Sequence, residues 1–258
     1  MLPPGYEEGS SGGAYGFAWT PLRGWLAELL ESGGTLHGWA ASREGAKPLV
    51  GRGGPRSSYA VDAPSLGPDG RPRWAVRHYH RGGLMAPLLR DRYLPTRIPR
   101  PVKELWATVE ARARGVPAPA VVAGAVYPAG PFHRADLVTE LIPDARTLEA
   151  LIFGSGGIAD ASELLGHAGR LVGRLESALV LHTDLNAANI LLVRGDESSG
   201  ARVVDLDGCI VFPLDHKGPG PVMRKRLERS LRKQVRKHGR ELAEHEWEAL
   251  RAGYEENP

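Results

Sequence analysis

One short stretch limits what this chain can fold into more than any other. His182-Thr183-Asp184-Leu185-Asn186-Ala187-Ala188-Asn189 is a polar loop that leads straight into the apolar run Ile190-Leu191-Leu192-Val193. A second β-forming run, Arg202-Val203-Val204, then delivers Asp205. Both runs are too short for helices and read as the strands of a hairpin. An amphipathic segment comes before the loop: Leu164, Leu165, Ala168, Leu171, Val172 and Leu175 recur at helical spacing over residues 162–179. Taken singly, the polar residues are ordinary turn and cap residues, since Asp and Asn side chains bond nearby backbone.

The rest of the sequence divides around that stretch. The first thirteen residues are rich in Gly and Ser and read as poorly ordered at the extreme end. Thr20 is placed as an N-cap, with Pro21 at the first helical position and Leu22, Trp25, Leu26, Leu29 and Leu30 at helical spacing until Gly33-Gly34. Short apolar pieces at 49–50, 59–61 and 74–76 predict antiparallel strands, with Gly67-Pro68-Asp69-Gly70 as a turn between the last two. A helix is expected over 101–114, stopped by Gly115, and two more strands over 121–127 and 135–141. Helical patterns follow at 148–153, at 162–179 and from 222 onward. This predicts an α+β chain in two lobes. Residues 1–142 would hold an antiparallel sheet plus one helix, and residues 143–258 a mainly helical lobe with the polar loop and Asp205.

Phosphoryl transfer calls for a carboxylate near the attacking hydroxyl and for oxygen ligands to Mg²⁺ on the nucleotide phosphates. An Asp five residues before an Asn, followed by a hairpin that returns a second Asp, suits that task. Here the sequence resembles the protein-kinase-like superfamily, whose catalytic loop reads H-x-D-x-x-x-x-N. The resemblance implies a bilobal protein-kinase-like fold with ATP in the cleft. It makes Asp184 the catalytic carboxylate, Asn189 and Asp205 the Mg²⁺ ligands, and His182 a support for the loop backbone. Asp205-Leu206-Asp207 departs from the usual D-F-G, with Gly208 one step late.

The N-terminal half offers matching parts. Arg77, at the end of Trp74-Ala75-Val76, stands where the phosphate-holding Lys of the superfamily is found, and Glu104 on the following helix is placed to pair with it. Arg binds phosphate as a planar fork, not as a point charge. Arg77 could equally be a strand-end charge reaching water, and Glu104 a first-turn acid complementing the helix dipole. Gly51, Gly53 and Gly54 could let backbone N–H groups approach phosphate, or simply form a hairpin turn.

A closer resemblance emerges when these pieces are joined. Arg77-His78-Tyr79-His80-Arg81-Gly82-Gly83-Leu84, Arg90-Asp91-Arg92-Tyr93, the segment Thr139-Glu140-Leu141-Ile142-Pro143-Asp144-Ala145-Arg146-Thr147-Leu148 and Asp184-Leu185-Asn186-Ala187 are similar to the bacterial Kdo (3-deoxy-D-manno-octulosonic acid) kinases of the lipopolysaccharide inner core. The loop carries Ala188 where that family commonly has His. The resemblance implies ATP- and Mg²⁺-dependent phosphorylation of a Kdo hydroxyl, usually the 4-hydroxyl, on a lipid-linked acceptor. Arg81 and Asn186 are the expected acceptor contacts, with the basic residues around 78–81 and 90–92 suiting an acidic sugar. Asn186 replaces the Lys of Ser/Thr protein kinases. Two other readings stay open: a small-molecule phosphotransferase of the aminoglycoside or choline type, and a pseudokinase acting as a membrane-docking module.

Composition sharpens the question of partners. The net charge is only +3, yet the segment from Arg224 to Arg240 holds nine Lys/Arg against one Glu, which leaves the remainder at −5. Met223, Leu227, Leu231 and Val235 run along the same segment as an apolar stripe. Such a helix either docks its stripe on the helical lobe or inserts it at an anionic inner-membrane surface. Nucleic acid is not expected, because no aromatic residues interleave the charges. No run of 18 apolar residues predicts a spanning helix. The acidic, Gly/Pro-bearing start does not read as a secretory signal. The single cysteine, Cys209, reads as a small buried residue and points to a reducing compartment. The expected location is cytoplasmic, peripheral on the inner membrane.

Overall fold

The computed structural model describes residues 1–49, 57–80, 91–193 and 200–256. The chain forms two compact units, one of Met1–Val109 with Ala120–Leu141 and the other of Glu110–Pro119 with Ile142–Pro258.

The first unit is built on a seven-stranded antiparallel sheet in the order β1-β2-β6-β7-β5-β4-β3. Its strands are β1 (Tyr6–Ser11), β2 (Ala14–Trp19), β3 (Lys47–Pro48), β4 (Ser58–Asp62), β5 (Arg73–His78), β6 (Val121–Ala129) and β7 (Phe132–Glu140). Successive side chains on a strand point to opposite faces, and the two faces here have separate cores. Helices α1 (Arg23–Glu31) and α2 (Leu36–Ala41) cover one face, where Leu26, Leu30 and Leu36 pack with Trp74, Val76 and Val138. Helix α3 (Arg100–Ala113) covers the other, where Val102 and Leu105 pack with Phe17, Tyr79 and Leu137.

The N-terminal residues expected to be poorly ordered instead form β1, paired residue for residue with β2 from Tyr6↔Trp19 to Ser11↔Ala14. Tyr6 anchors this hairpin, its hydroxyl donating to the Val121 carbonyl at 2.6 Å and its ring meeting Phe17 edge-on. The Gly/Ser content belongs to an edge strand and its tight turn. The sheet carries more than one helix: α1 answers the apolar spacing of residues 22–30, although Thr20 lies in a preceding 3-10 turn and does not cap it, and α2 was not expected. Helix α2 has an N-cap in Thr35, whose hydroxyl accepts from the Gly38 N–H at 3.0 Å. At the far end of the sheet Glu140, fully buried, accepts from the backbone N–H of Asp69 at 2.7 Å and so pins the 67–70 turn. Gly67 is required there, because a Cβ would lie 2.3 Å from the Glu140 carboxylate.

The second unit is mainly helical: α4 (Leu148–Phe153), α5 (Ser162–Ser177), α6 (Val222–His238) and α7 (Glu244–Glu255). Two small sheets complete it, one of β8 (Ala145–Thr147), β10 (Ile190–Val193) and β11 (Arg202–Val203), the other of β9 (Val180–Leu181) and β12 (Ile210–Val211). Helices α5 and α7 touch backbone to backbone, since a Cβ on Gly169 would sit 2.3 Å from the Leu250 carbonyl. The segment expected as one last helix is broken at Gly239, whose left-handed φ of 68° ends α6.

Candidate active site

The second unit places the polar loop and hairpin as the sequence suggested. Strands β10 and β11 pair antiparallel through Ile190↔Val203, and the Val204 N–H donates to the Asn189 carbonyl at 3.0 Å. That bond brings the chain leading to Asp205 alongside the end of the loop. Asp205 has a left-handed φ of 66°, a conformation uncommon outside Gly and, less often, Asn, Asp and His. A residue held there is strained by about 1–3 kcal/mol.

The loop is fixed through its backbone. The His182 Nε2–H donates to the Val204 carbonyl at 3.1 Å, and Nδ1 accepts from the Asp184 N–H at 3.3 Å. Only the neutral tautomer satisfies both bonds, so His182 supports the loop and does no acid–base work. The Asp184 carbonyl accepts two amides, from Asn186 Nδ2 at 2.5 Å and from Asn189 Nδ2 at 3.0 Å. The carboxylate of Asp184, by contrast, is on an exposed residue. A carboxylate on an exposed residue whose main chain is fixed is suited to accept a proton from an incoming hydroxyl.

Asn186, expected at the acceptor, also holds the loop. It is 6% exposed, and while Nδ2 holds the Asp184 carbonyl, Oδ1 accepts from the Ala188 N–H at 3.0 Å. Both ends of its amide brace the loop. Asn189 uses only its amide nitrogen this way, which directs Oδ1 elsewhere as a neutral oxygen donor. With the Asp205 carboxylate, that oxygen fits the hard-oxygen preference of Mg²⁺. No group of three His, Cys, Asp or Glu side chains arranged for a metal occurs among the described residues. A Mg²⁺ ion would therefore take its other ligands from phosphate and water, as that ion commonly does.

Two supports were missed from sequence, and both come from α6. The Ser230 hydroxyl accepts from the Ala187 N–H at 3.2 Å, and Met223 Sδ accepts from the His182 N–H at 3.3 Å. Ser230 is the one serine in that helix, lodged beside the apolar stripe, which was the available signal. Thr183 adds a third tie, donating from Oγ1 to the Gly208 carbonyl at 3.2 Å.

The first unit holds the expected Arg77–Glu104 pair. Arg77 on β5 meets Glu104 on α3 at 2.6 Å, and the Tyr79 hydroxyl donates to the same carboxylate oxygen at 2.5 Å. The Glu104 side chain is 4% exposed and that of Arg77 29%. Strand alternation puts Arg77 and Tyr79 on the α3 side together, with the guanidinium 4.7 Å from the Tyr79 ring centroid. Glu104 therefore does more than complement a helix dipole. Gly51, Gly53, Gly54 and Arg81 lie outside the described residues.

Helix α6 answers the question posed by its stripe. Met223, Leu227, Leu231 and Val235 are all buried, so the stripe docks and is not available for insertion. Burial of each contributes roughly 1.5–3 kcal/mol. Arg224 is tied to Glu176 at 2.8 Å, and Arg240 to Glu246 at 3.0 Å. Lys225, Arg226, Arg229, Lys233 and Arg236 are exposed and turned opposite the stripe by the helical period.

A strand-and-helix unit with a braced Arg–Glu pair, and a helical unit with this loop and hairpin, together define a kinase-like α+β protein. The solved structure titled "WaaP in complex with acyl carrier protein" shares the fold, with a TM-score of 0.51 over 92% of this chain and 86% of that one, at 17% identity. A model of the lipopolysaccharide kinase (Kdo/WaaP) family matches residues 65–254. Curated 3-deoxy-D-manno-octulosonic acid kinases are similar as well. The one from Vibrio cholerae serotype O1 is 37% identical, over 64% of this chain and 68% of its own length. That from Actinobacillus succinogenes is 33% identical, over 70% and 75%. The chain belongs to the lipopolysaccharide kinase (Kdo/WaaP) family, and is a phosphotransferase.

Proposed function

We propose that this kinase transfers the γ-phosphoryl group of ATP to a hydroxyl of lipid-linked Kdo in the lipopolysaccharide inner core, with the 4-hydroxyl as the acceptor atom. The observation that carries the reading is the Asp184 loop, held by its main chain with the carboxylate exposed, in a chain whose relatives are named Kdo kinases. Asp184 orients the hydroxyl and takes its proton as the new O–P bond forms and the bond from the γ-phosphorus to the β–γ bridging oxygen breaks, releasing ADP. Asn189 Oδ1 and the Asp205 carboxylate would hold Mg²⁺, which would offset negative charge on the phosphates. Arg77 contributes a fixed cation to those phosphates, and Glu104 with Tyr79 keeps its fork from swinging. Gly51, Gly53, Gly54 and Arg81 keep their expected roles toward phosphate and acceptor.

Acceptor profiling with labelled ATP tests this reading. Transfer to Kdo-linked lipid A, and none to soluble amino sugars or choline, is the expected result. Transfer to the soluble alcohols alone would make the protein a small-molecule kinase, and no ATP–Mg²⁺ response at all would make it a pseudokinase.

The kinase works at the cytoplasmic face of an inner membrane, held by the five outward cations of α6. Among the described residues no helix is long and apolar enough to cross a membrane. A cation near an anionic surface contributes about 1 kcal/mol, so reversal of three should abolish binding to anionic vesicles. Sedimentation of the Lys225→Glu/Arg229→Glu/Lys233→Glu variant with anionic and zwitterionic vesicles measures this. Equal binding by wild type and variant would remove α6 from the account.

A further inference from the structure

Strand β5 carries its motif on two faces. Arg77 and Tyr79 turn toward α3, while His78, between them, turns to the side of α1 and α2. There it lies directly across from Asp136 in the β5–β7 ladder, and its Nδ1 bonds that carboxylate at 2.6 Å. Its Nε2 meets Asp91 at 3.2 Å, and Asp91 also takes Arg134 at 2.8 Å. Asp136 is completely buried and accepts in addition the His37 N–H at 2.9 Å, at the start of α2. An imidazole bridging two carboxylates, one of them inaccessible to water, is an expensive arrangement to keep unless something depends on where it holds the chain.

We propose that His78 is a positioning residue for the kinase reaction, fixing the end of β5 between Asp136 and Asp91 and so setting the direction in which Arg77 presents its guanidinium on the opposite face. This rests on the reading that Arg77 holds the nucleotide phosphates. The link is one peptide unit long: when His78 shifts, the strand rotates or frays, and Arg77 moves with it.

The charged form of His78 makes both bonds. Burial alone would lower its pKa, but the hydrogen bonds and charges of Asp136 and Asp91 outweigh that and raise it above the ordinary 6.5. The groups facing it are Asp136 and Arg134 on β7, Asp91, the His37 ring at 5.3 Å, the His80 ring at 5.0 Å and the Tyr127 hydroxyl on β6. His80 goes the other way, lowered by burial and by the His78 charge. A cavity of about 590 Å³ lies beside His78 and Asp91, whose side chains keep 14% and 21% exposure, so the imidazole exchanges protons with solvent from the Asp91 side. Because the folded pKa is above the unfolded one, the stabilisation from His78 is complete below about 6.5 and is lost as pH rises through the raised value. A neutral His78 directs a lone pair at one of the carboxylates, and that contact opens.

The test is steady-state kinetics of the full chain over pH, with ATP varied, beside imidazole NMR. His78→Gln should raise KM for ATP by about three- to tenfold while kcat stays within about twofold. The wild type should show KM for ATP rising through the His78 pKa measured by NMR, and this rise should be absent from the variant. Asp91→Asn should lower that NMR pKa. If Arg77→Met raises KM for ATP and His78→Gln does not, the positioning role is wrong and the nucleotide reading stands. If Arg77→Met also leaves it unchanged, the nucleotide reading fails first. Should His78→Gln not fold, a wild-type KM for ATP that stays flat through the NMR pKa overturns the proposal on its own.

Discussion

Arg77 and Asp184 are both ionic residues in a phosphotransferase, but they are held by opposite means. Arg77 is gripped at its tip: its guanidinium meets a nearly buried Glu104, which Tyr79 also bonds. Asp184 is gripped at its root, where the two amides of Asn186 and Asn189 converge on its carbonyl and leave the carboxylate exposed. A group that must stay in one place against phosphate is best fixed at the charge. A group proposed to trade a proton is better fixed in the backbone, which leaves its carboxylate at the surface.

Substitutions at the two places should then behave differently. The largest effect belongs to Asp184→Asn, which should lower kcat by about 10²–10⁴-fold and leave the unfolding free energy within about 0.5 kcal/mol. A clear loss of stability in urea would mean that the carboxylate was structural. Asp205→Gly separates the two properties further. It should remove activity while stabilising the fold by about 1 kcal/mol, because Gly relieves the left-handed strain at an entropic cost smaller than the gain. Arg77→Met reverses the pattern of Asp184. It should destabilise by about 2–3 kcal/mol, since it strips a buried carboxylate of its cation, and should raise KM for ATP more than it lowers kcat. Thermal unfolding and ATP titration check both parts. The smallest effect is expected of Ser230→Ala, a loss of about 0.5–1.5 kcal/mol with a fewfold drop in kcat, from one hydrogen bond removed beneath the loop.

Much of this could be read in the sequence because it is local. The polar loop, its hairpin and the apolar faces of α3, α5 and α6 depend on spacing over a few residues, and the 148–153 helix and 190–193 strand fall where their patterns put them. What could not be read depends on partners far along the chain. The Gly/Ser-rich start becomes a strand because β2 is there to pair with it and Tyr6 reaches Val121, 115 residues away. Asn186 was expected from its place in the loop as an acceptor contact, and its bonds to the Asp184 carbonyl and the Ala188 N–H appear only in the loop geometry. Nothing near His78 in the sequence points to Asp136, which lies 58 residues later and bonds its ring.

The central claim is that the Asp184 loop phosphorylates Kdo, and mass spectrometry of Kdo-linked lipid A tests it most directly. The acceptor is incubated with ATP, Mg²⁺ and purified wild type, Asp184→Asn or Arg77→Met, and the product is fragmented to locate the phosphate. The account predicts one added phosphate on the Kdo residue with wild type, the same product in lower yield with Arg77→Met, and a rate of formation about a hundredfold or more lower with Asp184→Asn. An undiminished product from Asp184→Asn, or a phosphate placed away from Kdo by the wild type, would contradict it.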